Sequence, residues 1–472
     1  MNEEAAIATV LDTAVTPVAK LERPNLRHIP GPLTIPFVGK TISFGFDPYG
    51  TYFDQVARFG DVFRMTVFGE TWAVLAGPDA LEHVYLNRES VFSAQNGLKA
   101  FAPIFSGGLL HRDDLDHRAH RRVMQAAFRA PALKSYLDLM NGEIGRLLDD
   151  WPTDTKMKFA PSVKELTLRL GAHVFMGVTD GDEVARINAA FVQEVAATSA
   201  LIRKPLPFTK MGRGVTARAA LADSFRHLIA TRKTNGGDDF FSKLCVAQDE
   251  EGHAWSDQDI VDHFNFLLVA AHDAVTGALT AMIWALAQDK DLQESIHDEI
   301  VGLGDGPLAF DKLDKLDLTE RVYREALRRF TPSAFTARAV MADTMWQGHR
   351  LPRGTNVVIC PGPVMMTPEI FPQPERFDPG RFSPGRAEDL KHKFAWSPFG
   401  GGAHKCIGLH FSSIQVKAFM VQLIRRFSID MEVADLPKWR DIPTPVPING
   451  LPVTLRLRQA AAKHRGRTMR DI

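Results

Sequence analysis

The stretch that most restricts what this chain can become is the decapeptide at residues 399–408, Phe-Gly-Gly-Gly-Ala-His-Lys-Cys-Ile-Gly. Three consecutive glycines, a lone cysteine and a fourth glycine suit neither a helix nor a strand. Without a Cβ, Gly400, Gly401 and Gly402 can take positive φ or press close against another group. From 409 to 427 apolar residues recur at helical spacing (Leu409, Ile414, Val416, Phe419, Leu423, Ile424), which predicts a helix. Cys406 therefore stands where a glycine loop runs into a helix N-terminus. Unpaired backbone N–H groups and the helix dipole favour a thiolate there. A thiolate in such a loop is a nucleophile or a metal ligand, whereas most free cysteines are small buried hydrophobes. The loop alone leaves these roles open.

Bulk properties narrow the setting. With 56 basic and 56 acidic residues, formal charge is zero, so a nucleic-acid partner is not expected. Apolar residues at 45% and charged residues at 24% fit a soluble globular protein. Three widely spaced cysteines, Cys245, Cys360 and Cys406, form neither a disulfide framework nor a paired zinc motif. A reducing, cytoplasmic setting is expected. Residues 1–28 mix charges and lack both the run of roughly 20 apolar residues of a membrane span and the pattern of a secretion signal. They read as a flexible tail with no membrane anchor. Residues 460–472, with Lys463, Arg465, Arg467 and Arg470, read as a basic tail. Residues 29–459 are expected to form a single domain, as no repeat, linker or boundary interrupts them.

Within that domain helices dominate and strands are few and short. Two β-like runs at 62–68 and 71–76, separated by Gly69-Glu70, predict a hairpin. Residues 97–110 are loop-like yet apolar, and 113–128 are helical and rich in cations. Pro131 suits the first turn of a new helix. A break at 204–214, with Pro205, Pro207, Gly212 and Gly214, has the composition of a mobile lid. Residues 257–286 form the longest helical candidate, about 45 Å at 1.5 Å per residue. Apolar on nearly every side, it is expected to be the buried axis of the protein. Further on, 318–330 is helical, 336–342 and 357–360 are strand-like, and 367–382 is proline-rich and irregular.

Three motifs decide the loop's role. Glu325 and Arg328 lie three apart on one face of the 318–330 helix. The segment 374–377, Pro-Glu-Arg-Phe, places Arg376 in a rigid loop ahead of the cysteine. The loop itself carries Phe399, Gly402, His404, Cys406 and Gly408 in the pattern Phe-x-x-Gly-x-His-x-Cys-x-Gly. In this order and spacing the chain resembles the cytochrome P450 family over essentially its whole length. The resemblance implies a mainly α cytochrome P450 fold with small β-sheets, and haem b between the long central helix and the Cys-loop helix. Cys406 would be the axial thiolate, whose electron donation favours O–O cleavage, with Phe399 shielding the sulfur. Glu325, Arg328 and Arg376 would form a buried ion cluster that serves folding and haem retention. His117, Arg121, Arg338 and His404 match the cations that meet the haem propionates, and Arg122 is left on the surface.

The central helix departs from the family. Where members usually read Ala/Gly-Gly-x-Asp/Glu-Thr-Thr/Ser, this chain has Ala270-Ala271-His272-Asp273-Ala274-Val275-Thr276. The acid survives as Asp273, but Ala274 replaces the threonine. Thr276 is two residues along, about 200° round the helix. Three routes stay open: proton delivery by Asp273 through water or a substrate hydroxyl, a remodelled groove that uses Thr276 or His272, or a poor oxygenase. Ala270, Ala274 and Gly277 form a small-residue stripe that suits a flat macrocycle. Expected substrate-pocket residues are Phe101, Phe105, Leu201, Phe208, Phe266, Ala270, Ser333, Ala334 and Phe335. Their apolar character points to a terpenoid, steroid or fatty compound. The resemblance further implies a monomeric monooxygenase fed by a separate ferredoxin or flavodoxin and its NAD(P)H reductase. The alternatives are a haem–thiolate binding or sensor protein, and an isomerase or peroxide-using enzyme.

Overall fold

The computed structural model describes residues 18–33, 38–178, 181–198, 200, 204–441 and 444–458. Among these, the helices of nine or more residues are α1 (Pro48–Phe59), α2 (Pro78–Leu86), α3 (Asp114–Ala126), α4 (Ala130–Asp149), α5 (Phe159–Leu170), α6 (Gly181–Ala197), α7 (Lys210–Asn235), α8 (Asp257–Gln288), α9 (Lys290–Val301), α10 (Asp317–Arg329) and α11 (Leu409–Arg426). The expected axis is α8. It starts at a capping box in which the Ser256 hydroxyl takes the Asp259 N–H and the Asp259 carboxylate takes the Ser256 N–H, so two orphan donors of the first turn are satisfied together. Its apolar residues lie in the largest core cluster, with α5, α7, α10 and α11 packed around it. By length and composition, α8 and the segment Gly402–Arg426 are apolar enough to cross a membrane, yet more than half of each such window is buried inside the protein.

The expected hairpin is β1 (Val62–Val67) and β2 (Glu70–Leu75), one residue displaced from the sequence reading. Its turn is Phe68-Gly69 with φ of 51° and 76°, the mirror-image type that matches strand twist. With β3 (Phe92–Ser93), β5 (Thr336–Val340) and β8 (Asn356–Ile359) it builds a five-stranded sheet in the order β1-β2-β8-β5-β3, in which β2 and β8 run parallel and the other pairs antiparallel. A three-stranded sheet joins β4 (Lys156–Lys158), β12 (Pro452–Leu457) and β9 (Phe427–Asp430). Two small pairs, β6–β7 (Thr344–Trp346, His349–Leu351) and β10–β11 (Trp439–Arg440, Val446–Pro447), complete the strands.

Two expectations change. Residues 18–28 are packed rather than free: Leu26 is buried in a core cluster shared with the large sheet, Arg23 pairs with Glu70 at 2.6 Å, and His28 bonds the Arg350 carbonyl at 2.8 Å. Residues 1–17 and the basic tail 460–472 lie outside the described residues. The break at 204–214 is also shorter than expected. Thr209 caps α7 by accepting the Gly212 N–H, and Gly214 sits inside the helix, where an added Cβ would meet Ala197 Cβ at 2.3 Å. That glycine serves close packing of α6 on α7, not a hinge.

Candidate active site

The loop ahead of α11 is held by its own backbone. The Cys406 N–H donates to the Phe399 carbonyl at 2.9 Å. Gly400 and Gly402 have φ of 66° and 61°, and a Cβ on Gly402 would lie 1.8 Å from the Tyr85 carbonyl oxygen. Only glycine fits that approach. Phe399 packs edge-on to Trp396 at 5.8 Å. Cys406 keeps accessible surface, but the protein crowded round it desolvates the sulfur and raises the thiol pKa, against the pull of the Gly408 N–H, Arg121 and Lys405. Burial thus opposes the pull of the helix N-terminus on the sulfur. Coordination to a metal settles that contest, because a ligating thiol is deprotonated outright.

Beside the loop lie two arginines and two histidines. His117 on α3 and His404 in the loop bring their rings within 4.1 Å. Arg121 is one helical turn from His117, close enough to Cys406 to feel its charge. Arg338 on β5 is buried, and its guanidinium donates only to Thr336 Oγ1 at 3.3 Å and the Ala337 carbonyl at 2.8 Å. No carboxylate pairs with it among the described residues. The acid that acts on His117 and Arg338 is Asp113, and it is already taken by the Ser93 hydroxyl, the Ala94 N–H and His404. Burial would raise its pKa, but those donors hold it below the usual carboxylate range. His117 Nδ1 is buried with no partner. A buried guanidinium without a carboxylate and an orphaned imidazole nitrogen are costly unless an anion meets them. The four expected residues thus fit the two propionates of a haem.

The small-residue stripe of α8 is open along part of the helix. Ala270 is exposed in mid-helix, with Ala274 and Gly277 part-exposed below it, while Leu268, Val275 and Ala278 are buried. A flat group can lie against such a face. Thr276 does not belong to it. Its hydroxyl meets Thr167 Oγ1 on α5 at 2.9 Å, and Thr167 donates to the Lys164 carbonyl at 3.0 Å. Asp273 lies 3.2 Å from Lys164 Nζ and 3.3 Å from His272 Nδ1. Burial would raise its pKa, yet His272 and Lys164 outweigh this and keep it low.

The ion cluster differs from expectation in one member. Glu325 Oε2 accepts from Arg328 Nε at 2.7 Å, and Oε1 accepts from Arg328 Nη2 at 2.9 Å, the Asp378 N–H at 2.9 Å and Arg381 Nε at 3.3 Å. The second arginine is Arg381, 1% exposed, not Arg376. Arg376 contributes its carbonyl oxygen, which accepts from both buried guanidiniums, and its side chain is exposed. The repeated pattern Arg-Phe at 376–377 and 381–382 explains the error. The turn at Asp378–Pro379 aims the second copy inward.

Comparison with known proteins agrees with this geometry. The family model for cytochrome P450 matches residues 29–446. The chain belongs to the cytochrome P450 family. It is 38% identical to a putative cytochrome P450 136 of Mycobacterium tuberculosis over 403 residues, 83% of this chain and 82% of the relative. Pentalenene oxygenase of Streptomyces avermitilis is 28% identical over 81% of this chain and 87% of its own length. Among solved structures, a retinoic acid-bound cyanobacterial CYP120A1 superposes with a TM-score of 0.83 at 26% identity, covering 93% of this chain and 100% of that one. Its family makes this P450 a haem protein, an oxidoreductase whose relatives include monooxygenases and which depends on redox partners.

Of the expected pocket residues, three lie in one apolar cluster and the other described ones lie elsewhere. Phe105 packs edge-on to Phe266 at 6.0 Å, and both join Phe101, Ile104, Ala197, Ala200, Met211 and Val269 in one apolar cluster. Phe208, in contrast, is 95% exposed with φ of 65° on a turn before α7, so it points to solvent. Phe335 packs on Phe44 at 5.0 Å and Tyr49 at 6.0 Å under the large sheet. Ala334 is buried against Gly362, and Ser333 is exposed at the turn before β5. Leu201 lies outside the described residues. Two buried polar groups escaped the sequence reading. One is the Glu194–Asn265 pair between α6 and α8. The other links Arg112, His120 and His263: Arg112 Nη1 donates to His120 Nε2 at 2.6 Å, and His120 Nδ1 lies 2.9 Å from His263 Nε2. Arg112 also pairs with Asp116 and Asp259, each at 2.7 Å. A guanidinium only donates, so His120 carries its proton on Nδ1 and gives it to His263. Only spacing across 150 residues of chain relates these groups, and no local pattern shows that.

Proposed function

We propose that this P450 is a haem b–thiolate monooxygenase that oxidises a hydrophobic small molecule. Its electrons come from a separate ferredoxin or flavodoxin and that carrier's NAD(P)H reductase. We further propose that residues 29–459 act as one domain, and that the protein is a cytoplasmic monomer. The observation that carries the reading is the glycine-held Cys406 loop beside Arg338, buried without a carboxylate partner, and His117, whose buried Nδ1 has no partner. Bound there, haem supplies oxygen activation and transfer of one oxygen atom to a C–H bond. The chain's own residues then hold and shape. Cys406 ligates the iron, Arg338, His117, Arg121 and His404 anchor the propionates, and Phe399 keeps water from the sulfur. The cluster of Phe101, Phe105 and Phe266 orients an apolar substrate and excludes bulk solvent. Asp273, ion-paired at Lys164 and beside His272, holds the carboxylate that can pass protons inward from the α5 side. Relatives named for taxane, beta-amyrin and pentalenene oxidation support a polycyclic hydrocarbon skeleton as substrate.

Ala274 favours a second reading, a haem–thiolate binding protein or a peroxide-using or isomerising enzyme, because the hydroxyl of Thr276 is engaged by Thr167. Reconstitution with ferredoxin, reductase and NAD(P)H separates the two. The first requires product from an apolar library, and reducing equivalents that drain wholly to peroxide would overturn it. Cys406→Ser should abolish the red-shifted carbon monoxide band of the ferrous thiolate-ligated haem while Glu325 and its arginines keep the fold.

A further inference from the structure

His272 lies two residues, about 200° of helix, from both Ala270 and Ala274, so it stands on the far side of α8 from the small-residue stripe. There it lines a cavity of about 10 Å³. The wall comes from α5, the π-helical turn Gly171–Phe175, α6, α8 and α11. Most of the lining is apolar, and its polar members are Thr167, Asn188, His272 and Gln415. A volume of that size holds one water molecule when two or more polar groups meet it. Gln415 on α11 is 2% exposed, and its Oε1 is buried without a hydrogen-bond partner. That oxygen needs a donor.

The neutral form of His272 needs one too. Its Nδ1 lies 3.3 Å from Asp273 Oδ1. A carboxylate only accepts, so this nitrogen carries a proton. Its Nε2 lies 3.4 Å from Thr167 Oγ1. The Thr167 proton is given to the Lys164 carbonyl at 3.0 Å, which cannot donate in return. As an imidazolium, His272 therefore donates to Asp273 and Thr167 together. As a neutral ring it has a bare acceptor at Nε2. Two acceptors thus line one cavity, and one water has two protons to give them.

We propose that His272 is a proton carrier that supplies Asp273, fed by a water held between Gln415 Oε1 and His272 Nε2. The inference rests on the monooxygenase reading above and adds a residue to its proton path. A hydrated proton reaching the cavity water is taken up at Nε2 as Nδ1 releases its own to Asp273 Oδ1. One proton enters and one leaves. Solvent restores the supply past Asn188, the part-exposed member of the lining on α6. A half-turn of the ring then returns it to the Nδ1–H form. Both protonation states of the ring find partners, so neither is a trap, as a carrier requires. His272 touches neither haem nor substrate in this scheme. It is a positioning residue that acts through Asp273.

The test begins with two readouts apart from turnover, and neither needs a variant to be active. In the ferrous carbon monoxide form of the ¹⁵N-histidine-labelled holoprotein, long-range ¹H–¹⁵N correlation shows which ring nitrogen carries hydrogen. His272→Gln assigns the signal. His272 should show Nδ1–H, alone or together with Nε2–H, and a ring protonated on Nε2 alone overturns the inference. A crystal structure of the holoprotein should place a water within hydrogen-bond distance of both Gln415 Oε1 and His272 Nε2; a dry cavity overturns it as well. In turnover, His272→Gln should lower kcat on the order of tenfold and leave KM unchanged. That is below the 10²-fold scale of a proton-transfer group lost outright, because Asp273 is itself part-exposed. In the Asp273→Asn background the same change should do nothing more, since both groups serve one path. Effects that multiply, or an unchanged kcat in His272→Gln, would sink the relay. A loss seen in Lys164→Met but not in His272→Gln would give the supply to the lysine instead. If no apolar substrate is oxidised while the thiolate carbon monoxide band is intact, the monooxygenase reading falls and this one with it. An Nε2-only ring in an enzyme that turns over normally removes the relay alone.

Discussion

The molecule buries two kinds of carboxylate network, and they are opposites. Around Glu325 every polar atom is engaged. Arg328 donates to Glu325, Met365 O and Pro374 O, and Arg381 donates to Glu325, Glu388, Pro372 O and Gln373 O. Around Glu194 one oxygen is bonded and its partner is bare, and Asn265 repeats the pattern. Desolvation is paid in both places. A saturated network returns that cost as rigidity and locks the segment 372–388 onto α10. An unsaturated one returns nothing until something else arrives. Saturation therefore separates groups that hold the scaffold from groups left unmatched, and the buried Arg338 without a carboxylate and His117 with a bare Nδ1 fall with the second kind.

Breaking the saturated network should give the largest effect. Glu325→Gln leaves the buried Arg328 guanidinium without its charge partner and Arg381 with Glu388 alone, at a cost of about 3–5 kcal/mol. That is a large part of the stability of an ordinary domain. Expression with haem should yield little folded holoprotein, read from the Soret band and a thermal melt. Arg381→Ala should behave the same way, whereas Arg376→Ala should stay within about 0.5 kcal/mol of the parent. A collapse of the Arg376 variant with survival of the Arg381 one would reverse the assignment and weaken the distinction between the two networks.

That correction also marks how far the sequence reaches. Local and periodic features were legible: α8 from its apolar run, α11 from the spacing after the glycine loop, and Glu325–Arg328 from three-residue spacing on one helix. Choosing between Arg376 and Arg381 was not, because both precede a phenylalanine and only the turn at Asp378 decides which faces inward. Phe208 misled for a similar reason, since an aromatic in a loop reads as pocket lining until the backbone turns it out. The pairings of Glu194 with Asn265 and of His120 with His263 join residues 71 and 143 apart. They depend on how α3 and α6 cross α8, and no local pattern encodes a crossing.

A third network sharpens the comparison by pH. His120 and His263 are buried between Arg112 and Trp255, with the His263 ring stacked on Trp255 at 4.3 Å. Burial, then the Arg112 charge, takes His120 to about 2; burial, then its neighbour His120, takes His263 well below its ordinary value. Folded, both are neutral; unfolded, both titrate near 6.5. The unfolded state therefore takes up protons below about pH 6.5 that the folded state refuses. Stability from this pair is fully present above that pH and is lost as pH falls, by ~1.4 kcal/mol per pH unit for each histidine. Urea midpoints from pH 7.5 down to 5 should show that slope, and His120→Gln with His263→Gln should flatten it. An unchanged slope in the double variant would move the acid sensitivity to other groups.

On the distal helix the comparison predicts a split between neighbours. Asp273→Asn should keep haem and fold but slow turnover on the order of 10²-fold, the scale of a lost proton-transfer group, with more reducing equivalents lost to peroxide. Thr276→Val should do far less. The Thr276 hydroxyl proton points to Thr167 Oγ1, which in turn donates to the Lys164 carbonyl, so its hydrogen bond ties α8 to α5 and runs away from the Ala270–Ala274 face. Removing it should cost about 1 kcal/mol of stability and leave coupling unchanged. If Thr276→Val instead uncouples oxygen consumption from product as strongly as Asp273→Asn, the hydroxyl turns inward during turnover. The network at Thr167 would then be a resting contact that opens, and saturation in a static structure would not be enough to mark a group as structural.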